Sequence, residues 1–174
     1  MKKDLYIDFD GVILDTISII YDLMEENKIN KKDFLESYNF IAKLDWEYII
    51  NNAKEINNSS LSILKLLRSE LYNLYILTHV CSKEETFVKE DYIKRRFKEI
   101  KPIFVPKTVS KTKMVDPKNS ILTDDFNGNL KEWKEAGGIS LKFSLKEERN
   151  CPYLVINSLE DILYLDKIKT LIKR

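Results

Sequence analysis

The chain has 174 residues, 44% of them hydrophobic and 33% charged, which is the composition of one globular domain. Its 29 basic and 28 acidic residues give a net charge of +1, so neither a nucleic-acid polymer nor a membrane surface is an expected partner. The sequence shows no signal-peptide pattern and no run long enough to span a bilayer, and its two cysteines, Cys81 and Cys151, have neither zinc-site nor disulfide-framework spacing. We therefore expect a cytoplasmic protein.

Short apolar runs predict the strands of an α/β fold. Five are clear, with Tyr153–Ile156 as a candidate sixth: Leu5–Phe9, Asn73–Thr78, Ile103–Val105, Ser120–Thr123 and Ile139–Phe143. Helical patterns separate the runs. This alternation predicts a Rossmann-like, mostly parallel sheet with helices on both faces.

Only helical patterns occur between the first two predicted strands. Three helices are predicted there: one through Ile17, Ile20, Tyr21 and Met24, one over Trp46 to Ile56, and one with the stripe Leu61, Leu64, Leu67 and Leu71. We predict that residues 16–67 form a small helical cap and that residues 1–15 and 68–174 form the core, with the third helix as a possible part of the core. An insertion after the first strand overhangs the carboxyl ends of the strands, where open α/β sheets bind ligands.

Two serines mark the starts of later helices. Ser82 and Glu85 have the spacing of a capping box and predict a helix that ends near Phe97. Ser158 and Asp161 have the same spacing and predict a last helix. The apolar stripe of that last helix is Leu159, Ile162, Leu163 and Leu165.

A pair of acids, Asp8 and Asp10, follows the first predicted strand, with Gly11 directly behind. Two carboxylates this close raise each other's pKa unless a cation lies between them. Mg²⁺ prefers such oxygen ligands. One carboxylate can then attack phosphorus, and the other can transfer protons. The alternative, a solvated turn, is disfavoured by the apolar residues that precede the pair.

Polar residues also end two later strands. Thr78 can hold a phosphate oxygen through its hydroxyl and nearby backbone amides, and His79, the single histidine, is a weaker candidate for substrate contact. Asp124 can complete the metal site, and Asp125 can orient a ligand or a lysine. A helix N-cap is the alternative for one of these two acids.

Two lysines, Lys111 and Lys113, lie shortly before the Asp124 strand. A lysine beside the acids would balance the negative charge of nucleophile and phosphate. The residue pattern alone does not indicate which of the two lysines lies beside the acids.

The order acid pair, threonine, lysine, acid pair resembles the haloacid dehalogenase superfamily of phosphohydrolases over nearly the whole chain. Residues 8–12 resemble its first motif, Thr78 its second, Lys113 its third, and Asp124 with Asp125 its fourth. Lys113 is favoured over Lys111 because it lies nearer to the offset from Asp124 that is usual in the superfamily.

The resemblance implies a role for each matching residue. Asp8 would be the nucleophile and a Mg²⁺ ligand, and Asp10 would be the acid/base and bind Mg²⁺ through its backbone carbonyl. Thr78 would bind phosphate, Lys113 would balance charge, and Asp124 would complete the Mg²⁺ site.

A narrower resemblance is to the type C pyrimidine 5'-deoxyribonucleotidase branch. The residues that carry it are Asp124, Asp125, Asn129, Trp133, Ala136, Gly137 and Gly138, with a strand that ends at Phe143. That branch also has a small helical cap, in which Trp46 is our candidate for stacking on a nucleobase. Packing within the cap is the alternative for Trp46.

These observations predict a Mg²⁺-dependent phosphomonoesterase that acts through an aspartyl-phosphate. The favoured substrate is a (deoxy)nucleoside monophosphate. A sugar phosphate or another small metabolite is the alternative substrate. A non-catalytic protein that binds phosphate or a partner is a third hypothesis, disfavoured because every expected acid and lysine is present.

Overall fold

Six parallel strands form the sheet at the centre of the computed structural model, which describes residues 2–165. The strands are β1 Lys3–Ile7, β2 Tyr72–Val80, β3 Lys101–Pro106, β4 Ile121–Asp124, β5 Ile139–Phe143 and β6 Leu154–Ile156. Their order across the sheet is β3-β2-β1-β4-β5-β6, and every neighbouring pair is parallel. The predicted α/β sheet is therefore confirmed, and the candidate sixth strand is part of it.

Helices cover both faces of this sheet. They are α1 Thr16–Glu26, α2 Phe34–Ile41, α3 Trp46–Asn52, α4 Ser59–Ser69, α5 Lys83–Arg96 and α6 Asn127–Glu135, with two 3₁₀ helices at Lys111–Lys113 and Leu159–Tyr164. Side chains alternate along a strand, so Leu5 and Ile7 of β1 pack into one apolar cluster, while Tyr6 packs with Leu130 and Trp133 of α6 in another. Because both faces are buried, the strands are nearly continuous apolar runs.

Helix α4 buries a different face from the one predicted. Leu61 and Leu64 of the predicted stripe are 53% and 37% exposed, whereas Ile63 and Leu66 are buried. The hydroxyl of Ser59 donates to the Ile13 carbonyl at 2.9 Å, and this bond turns the serine side of the helix inward. The helix was predicted correctly and its stripe was wrong, because leucines are common on exposed helix faces as well.

Helices α1 to α3 lie in the chain between β1 and α4. Helix α2 was not predicted, and α3 ends at Asn52 rather than at Ile56. The reason is backbone pairing: Asp15 N–H donates to the Lys54 carbonyl at 2.9 Å, and Ile56 N–H donates to the Ile13 carbonyl at 3.0 Å. The segments that enter and leave the insertion therefore run side by side, and α4 contacts β2. The division into a 16–67 cap and a core stays a prediction.

The two predicted serine caps are present. The Ser82 hydroxyl accepts from Glu85 N–H at 3.0 Å, although the Glu85 carboxylate turns away to Cys81 N–H at 2.6 Å. Ser158 and Asp161 form a full capping box, but the element that follows is a 3₁₀ helix, and the chain beyond residue 165 lies outside the described residues. Within residues 2–165, no helix combines the length and the apolar character that crossing a bilayer requires.

Candidate active site

The sequence-predicted acids and Thr78 meet near the carboxyl ends of three neighbouring strands. Asp8 and Asp10 follow β1, Thr78 lies in β2, and Asp124 ends β4. Strand β1 lies between β2 and β4, so the three chain segments deliver these side chains to one edge of the sheet. A cleft of about 230 Å³ opens there between the sheet and the insertion. It is lined by Asp8, Asp10, Ile17, Ile20, Tyr21, Ile41, Trp46, His79, Cys81, Glu85, Lys107, Asp125, Phe126 and Asn129.

Three carboxylates form the centre of the site, which we call the acid cluster: Asp8, Asp124 and Asp125. Each offers one oxygen, and these oxygens lie within 4.8 Å of one another. The turn after β1 packs directly on Asp125, because a Cβ on Gly11 would lie 2.4 Å from Asp125 Oδ2. Gly11 also has φ +73°, so both space and backbone geometry require glycine there.

Lys111 neutralises part of the acid cluster. Its Nζ lies 2.8 Å from Asp8 Oδ1 and 2.7 Å from Asp124 Oδ2, and its side chain is 2% exposed. Burial alone would lower the pKa of this lysine, but the two carboxylates raise that pKa above its usual value. Lys111 is therefore a charged, fixed part of the site.

The expectation that Lys113 occupies this position is wrong. Lys113 is exposed, and Lys111 contacts Asp8 and Asp124. Both residues lie in one 3₁₀ turn that begins at Ser110, whose hydroxyl accepts from Thr112 N–H at 3.3 Å. A 3₁₀ helix rotates about 120° per residue, so side chains two positions apart point in different directions. Counting residues back from Asp124 could not resolve that rotation.

The acid cluster carries more negative charge than one lysine balances. Burial, together with the neighbouring Asp124 and Asp10, raises the pKa of Asp8 to about 6 against the opposing effect of Lys111. Burial and the charges of Asp8 and Asp124 raise the pKa of Asp125 to about 7. Clustered carboxylates without histidine or cysteine are the donor set that suits Mg²⁺ rather than zinc. The residues present therefore fit the predicted cation, and Asp125, expected only as a supporting residue, lies among its candidate ligands.

Both carboxylate oxygens of Asp10 bind partners outside the acid cluster. Its Oδ1 accepts from the Thr16 hydroxyl at 2.7 Å, and its Oδ2 accepts from Lys89 Nζ at 2.5 Å and from the Thr78 hydroxyl at 3.3 Å. Burial would raise the pKa of this carboxyl, but Lys89 and Thr16 bring that pKa below its usual value. Thr78 is fully buried beside Asp10, and its phosphate-binding role stays a prediction.

His79 is held as a neutral ring. Its Nε2 lies 3.0 Å from the Val109 carbonyl, which can only accept, so Nε2 carries the hydrogen. Burial, with the nearby Lys111 and Lys107, lowers the pKa of His79 to about 4. The ring borders the cleft, and its contact with substrate stays a prediction.

Trp46 borders the cleft but has almost no exposed surface on which a base could stack. It is 1% exposed, its Nε1–H donates to the Ile41 carbonyl at 3.3 Å, and the Lys89 ammonium lies 4.7 Å from its ring centroid. The expectation that Trp46 stacks on a nucleobase is therefore wrong, and its packing alternative is the correct one. Two other aromatic side chains that border the cleft are open to solvent, Tyr21 at 50% and Phe126 at 61%.

The sequence interpretation missed three charged residues. Lys89 and Glu85 form a buried ion pair at 2.6 Å, although their four-residue spacing is typical of pairs on an exposed helix surface. Lys142 of β5 donates from Nζ to the Asp125 backbone carbonyl and so fixes the loop after β4. A lysine within the apolar run of β5 was the signal that could have identified Lys142.

Comparisons with known proteins identify the fold. No family model and no curated protein matches the chain. Among solved structures, it is similar to a HAD-superfamily hydrolase, subfamily IA, variant 1, from Geobacter sulfurreducens (TM-score 0.62, 12% identity, covering 95% of this chain and 100% of that one). It is also similar to D,D-heptose 1,7-bisphosphate phosphatase from Burkholderia thailandensis (0.56, 13%, 96% and 99%) and to L-2-haloacid dehalogenase from Xanthobacter autotrophicus (0.60, 11%, 96% and 99%). The chain therefore has a haloacid dehalogenase-like α/β fold.

Replacing Lys111 should affect stability far more than replacing Lys113. We expect Lys111→Met to lower the free energy of unfolding by about 3–5 kcal/mol, because two buried carboxylates lose their counter-ion. Lys113→Met is the matched control and should change it by less than about 0.5 kcal/mol, since Lys113 is exposed. Urea unfolding in the presence of a chelator measures both changes. Equal effects of the two substitutions would contradict the assignment of Lys111.

The raised pKa of Asp125 predicts that this residue lowers the free energy of unfolding as pH rises. Between pH 4 and about 7, the unfolded chain loses the Asp125 proton while the folded protein keeps it, so this group makes the free energy of unfolding fall as pH rises. Asp125→Asn removes that contribution. In chelator, the variant should therefore gain stability relative to wild type as pH rises from 4 to 7, measured by thermal unfolding. A difference that does not change with pH would show that Asp125 ionises normally.

Proposed function

We propose that this protein is a Mg²⁺-dependent phosphomonoesterase that hydrolyses a small phosphate ester through phosphorylated Asp8. One observation carries the proposal: Asp8 lies buried at the end of β1, in contact with Lys111 and within a cluster of carboxylates that can hold a cation. Asp10, a second acid with its side chain 17% exposed, borders the same cleft. A nucleophile, its counter-ion and a proton carrier thus share one site.

The proposed reaction has two steps. In the first, an Asp8 oxygen forms a bond to phosphorus, and the leaving oxygen departs with a proton from Asp10. In the second, Asp10 takes a proton from a water that attacks the phosphorus, and the Asp8–phosphorus bond breaks. A phosphate dianion beside Asp10 raises the pKa of that carboxyl through like-charge repulsion, so substrate entry favours the protonated form that the first step needs.

Lys111 and the acid cluster support this reaction electrostatically. The Lys111 ammonium holds Asp8 in place and offsets the charge of the incoming phosphate. Asp8, Asp124 and Asp125 are the side chains that would hold Mg²⁺, together with the Asp10 carbonyl that the superfamily resemblance implies. When bound, Mg²⁺ would neutralise negative charge on the phosphoryl oxygens.

The composition of the site favours phosphate esters over the haloacids that one structural neighbour's name indicates. A halide leaves as a stable anion and needs no proton donor, whereas an alkoxide leaving group does. The cleft contains both a second acid, Asp10, and an acid cluster suited to a divalent cation. The presence of these groups, with Asp8, Asp10 and Asp124 each in contact with a buried lysine, also disfavours the non-catalytic hypothesis.

A phosphatase screen tests the proposal. Wild-type protein with Mg²⁺ should release phosphate from members of a panel of ribo- and deoxyribonucleotides, sugar phosphates and aryl phosphates. Asp8→Asn should lower kcat by about 10³-fold or more, because the amide keeps the volume but is a poor nucleophile. Asp22→Asn, at an exposed position of α1, is the matched control and should retain full activity. Near-normal turnover by Asp8→Asn would overturn the proposal, as would turnover that survives complete chelation.

For the substrate class, we propose a nucleoside monophosphate. Because Trp46 is packed, this proposal rests on the two exposed aromatic rings of the cleft wall, Tyr21 of α1 and Phe126 after β4. Stacking of a base on an aromatic ring contributes about 1–3 kcal/mol. A sugar phosphate or similar metabolite is the second candidate. Lys107 favours it, because this exposed lysine lines the cleft and has no ion-pair partner within residues 2–165, so it suits a further anionic group.

The two substrate classes predict opposite responses to substitution. If the leaving group contains a base, Phe126→Ala should raise KM for a nucleotide by about fivefold or more, the equivalent of about 1 kcal/mol. Lys107→Met should leave that KM unchanged. The reverse pattern, measured with a sugar bisphosphate, would indicate the second candidate. Phe87→Ala, which truncates an aromatic ring 69% exposed and outside the cleft, is the control and should affect neither.

A further inference from the structure

Helix α5 contributes a buried lysine, Lys89, that contacts Asp10, the proposed proton carrier. The Lys89 side chain is 0% exposed, although lysine is among the residues that are least often buried. Its Nζ lies 2.5 Å from Asp10 Oδ2, 2.6 Å from Glu85 Oε1 and 3.2 Å from the His79 carbonyl. An ammonium group has three hydrogens, so these acceptors use all of its donors.

Glu85 anchors this lysine to the sheet. Its side chain is 3% exposed, and its second oxygen, Oε2, accepts from Cys81 N–H at 2.6 Å. Cys81 follows the end of β2 directly, so Glu85 ties Lys89 to the backbone beside the site. Neither charged group can turn toward water without breaking these bonds.

Aromatic rings close off the remaining sides of the ammonium. Lys89 Nζ lies 4.7 Å from the Trp46 ring centroid and 5.5 Å from that of Phe9. Lys89 is not among the residues that line the cleft, whereas Asp10 is. A bound phosphate ester can therefore reach Asp10 but not Lys89.

Stability does not explain this arrangement well. Taking two carboxylates and one ammonium out of water costs free energy that a buried ion pair often fails to recover, and apolar residues of similar volume frequently serve stability better. A position between Trp46 and Phe9 would suit an apolar side chain. The residues present instead form a charged bridge that ends at Asp10, the proposed proton carrier.

We propose that Lys89, anchored by Glu85, is a positioning residue that holds the Asp10 carboxyl where it exchanges a proton with the leaving oxygen and with water. The assignment rests on the proposed function. Lys89 fixes Asp10 Oδ2, while the Thr16 hydroxyl of α1 fixes Oδ1 at 2.7 Å. With both oxygens held, the carboxyl stays at the cleft and does not turn toward Lys111 and the acid cluster. Proton transfer needs hydrogen-bond reach of the reacting atom, so loss of this hold removes proton transfer selectively.

Leaving-group dependence tests the assignment. The value of kcat/KM reports the steps up to departure of the leaving group. The leaving group of an alkyl phosphate must be protonated, whereas that of an activated aryl phosphate need not be. Lys89→Met should lower kcat/KM for the best alkyl phosphate of the screen by about 100-fold, the lower range for general acid–base catalysis, and for para-nitrophenyl phosphate by less than about threefold. Glu85→Gln should act in the same direction with a smaller loss.

Helix α5 offers its own matched control. Glu90 and Lys94 form another pair at the same four-residue spacing, but on the exposed side, at 2.8 Å. Lys94→Met and Glu90→Gln should leave both substrates unaffected. The double variant Lys89→Met/Glu85→Gln removes one charge of each sign, so it preserves the net charge of the cluster if the single Lys89 variant fails to fold. It should show the same selective loss as Lys89→Met.

Inhibition by inorganic phosphate distinguishes a positioning role of Lys89 from a role in binding phosphate. The inhibition constant of inorganic phosphate should stay the same in wild type and Lys89→Met, because Asp8 and Lys111 are intact. A raised inhibition constant with unchanged kcat would show that Lys89 binds phosphate itself, and equal losses on alkyl and aryl substrates would show a structural role. Either result overturns the assignment while the proposed function stands. An inactive wild type overturns both.

Discussion

Repulsion among four carboxylates at one edge of the sheet is the constraint around which this structure is built. Asp8, Asp10, Asp124 and Asp125 are brought together by strands whose apolar faces must be buried, so the fold cannot separate them. Two buried lysines, Lys111 and Lys89, offset part of this charge. The rest remains as raised pKa values at Asp8 and Asp125, and this unbalanced charge is what a divalent cation would remove.

The lysines divide the site into two halves. Lys111, from the turn before β4, contacts Asp8 and Asp124 and belongs to the half in which phosphorus would be attacked. Lys89, from α5, contacts Asp10 and belongs to the half in which protons would move. Each lysine lies between two carboxylates, so the two acids that follow β1, Asp8 and Asp10, are held by different lysines. That separation allows neighbouring carboxylates to have different chemical tasks.

The insertion contributes to the Asp10 half of the site through packing. Thr16, its first helical residue, holds one oxygen of Asp10, and Trp46 of α3 covers the Lys89 ammonium. The backbone pairing of residues 13–15 with residues 54–56 joins the insertion to the end of β1. A change in the position of these helices would therefore alter the surroundings of Asp10 directly, which is why the insertion matters for the proposed chemistry as well as for substrate choice.

The sequence by itself determined the strands, the order of acids and threonine along them, and the meeting of these residues at one edge, because apolar runs and the parallel βαβ rule are local signals. Only the tertiary structure decided which lysine meets the acids, since the rotation of a 3₁₀ turn separates Lys111 from Lys113. It also decided that Trp46 is packed rather than open, and that Lys89 reaches Asp10 across 79 positions of the chain. Such contacts depend on where helices dock against the sheet, and docking is set by the summed packing of residues far apart in sequence, which no local pattern contains.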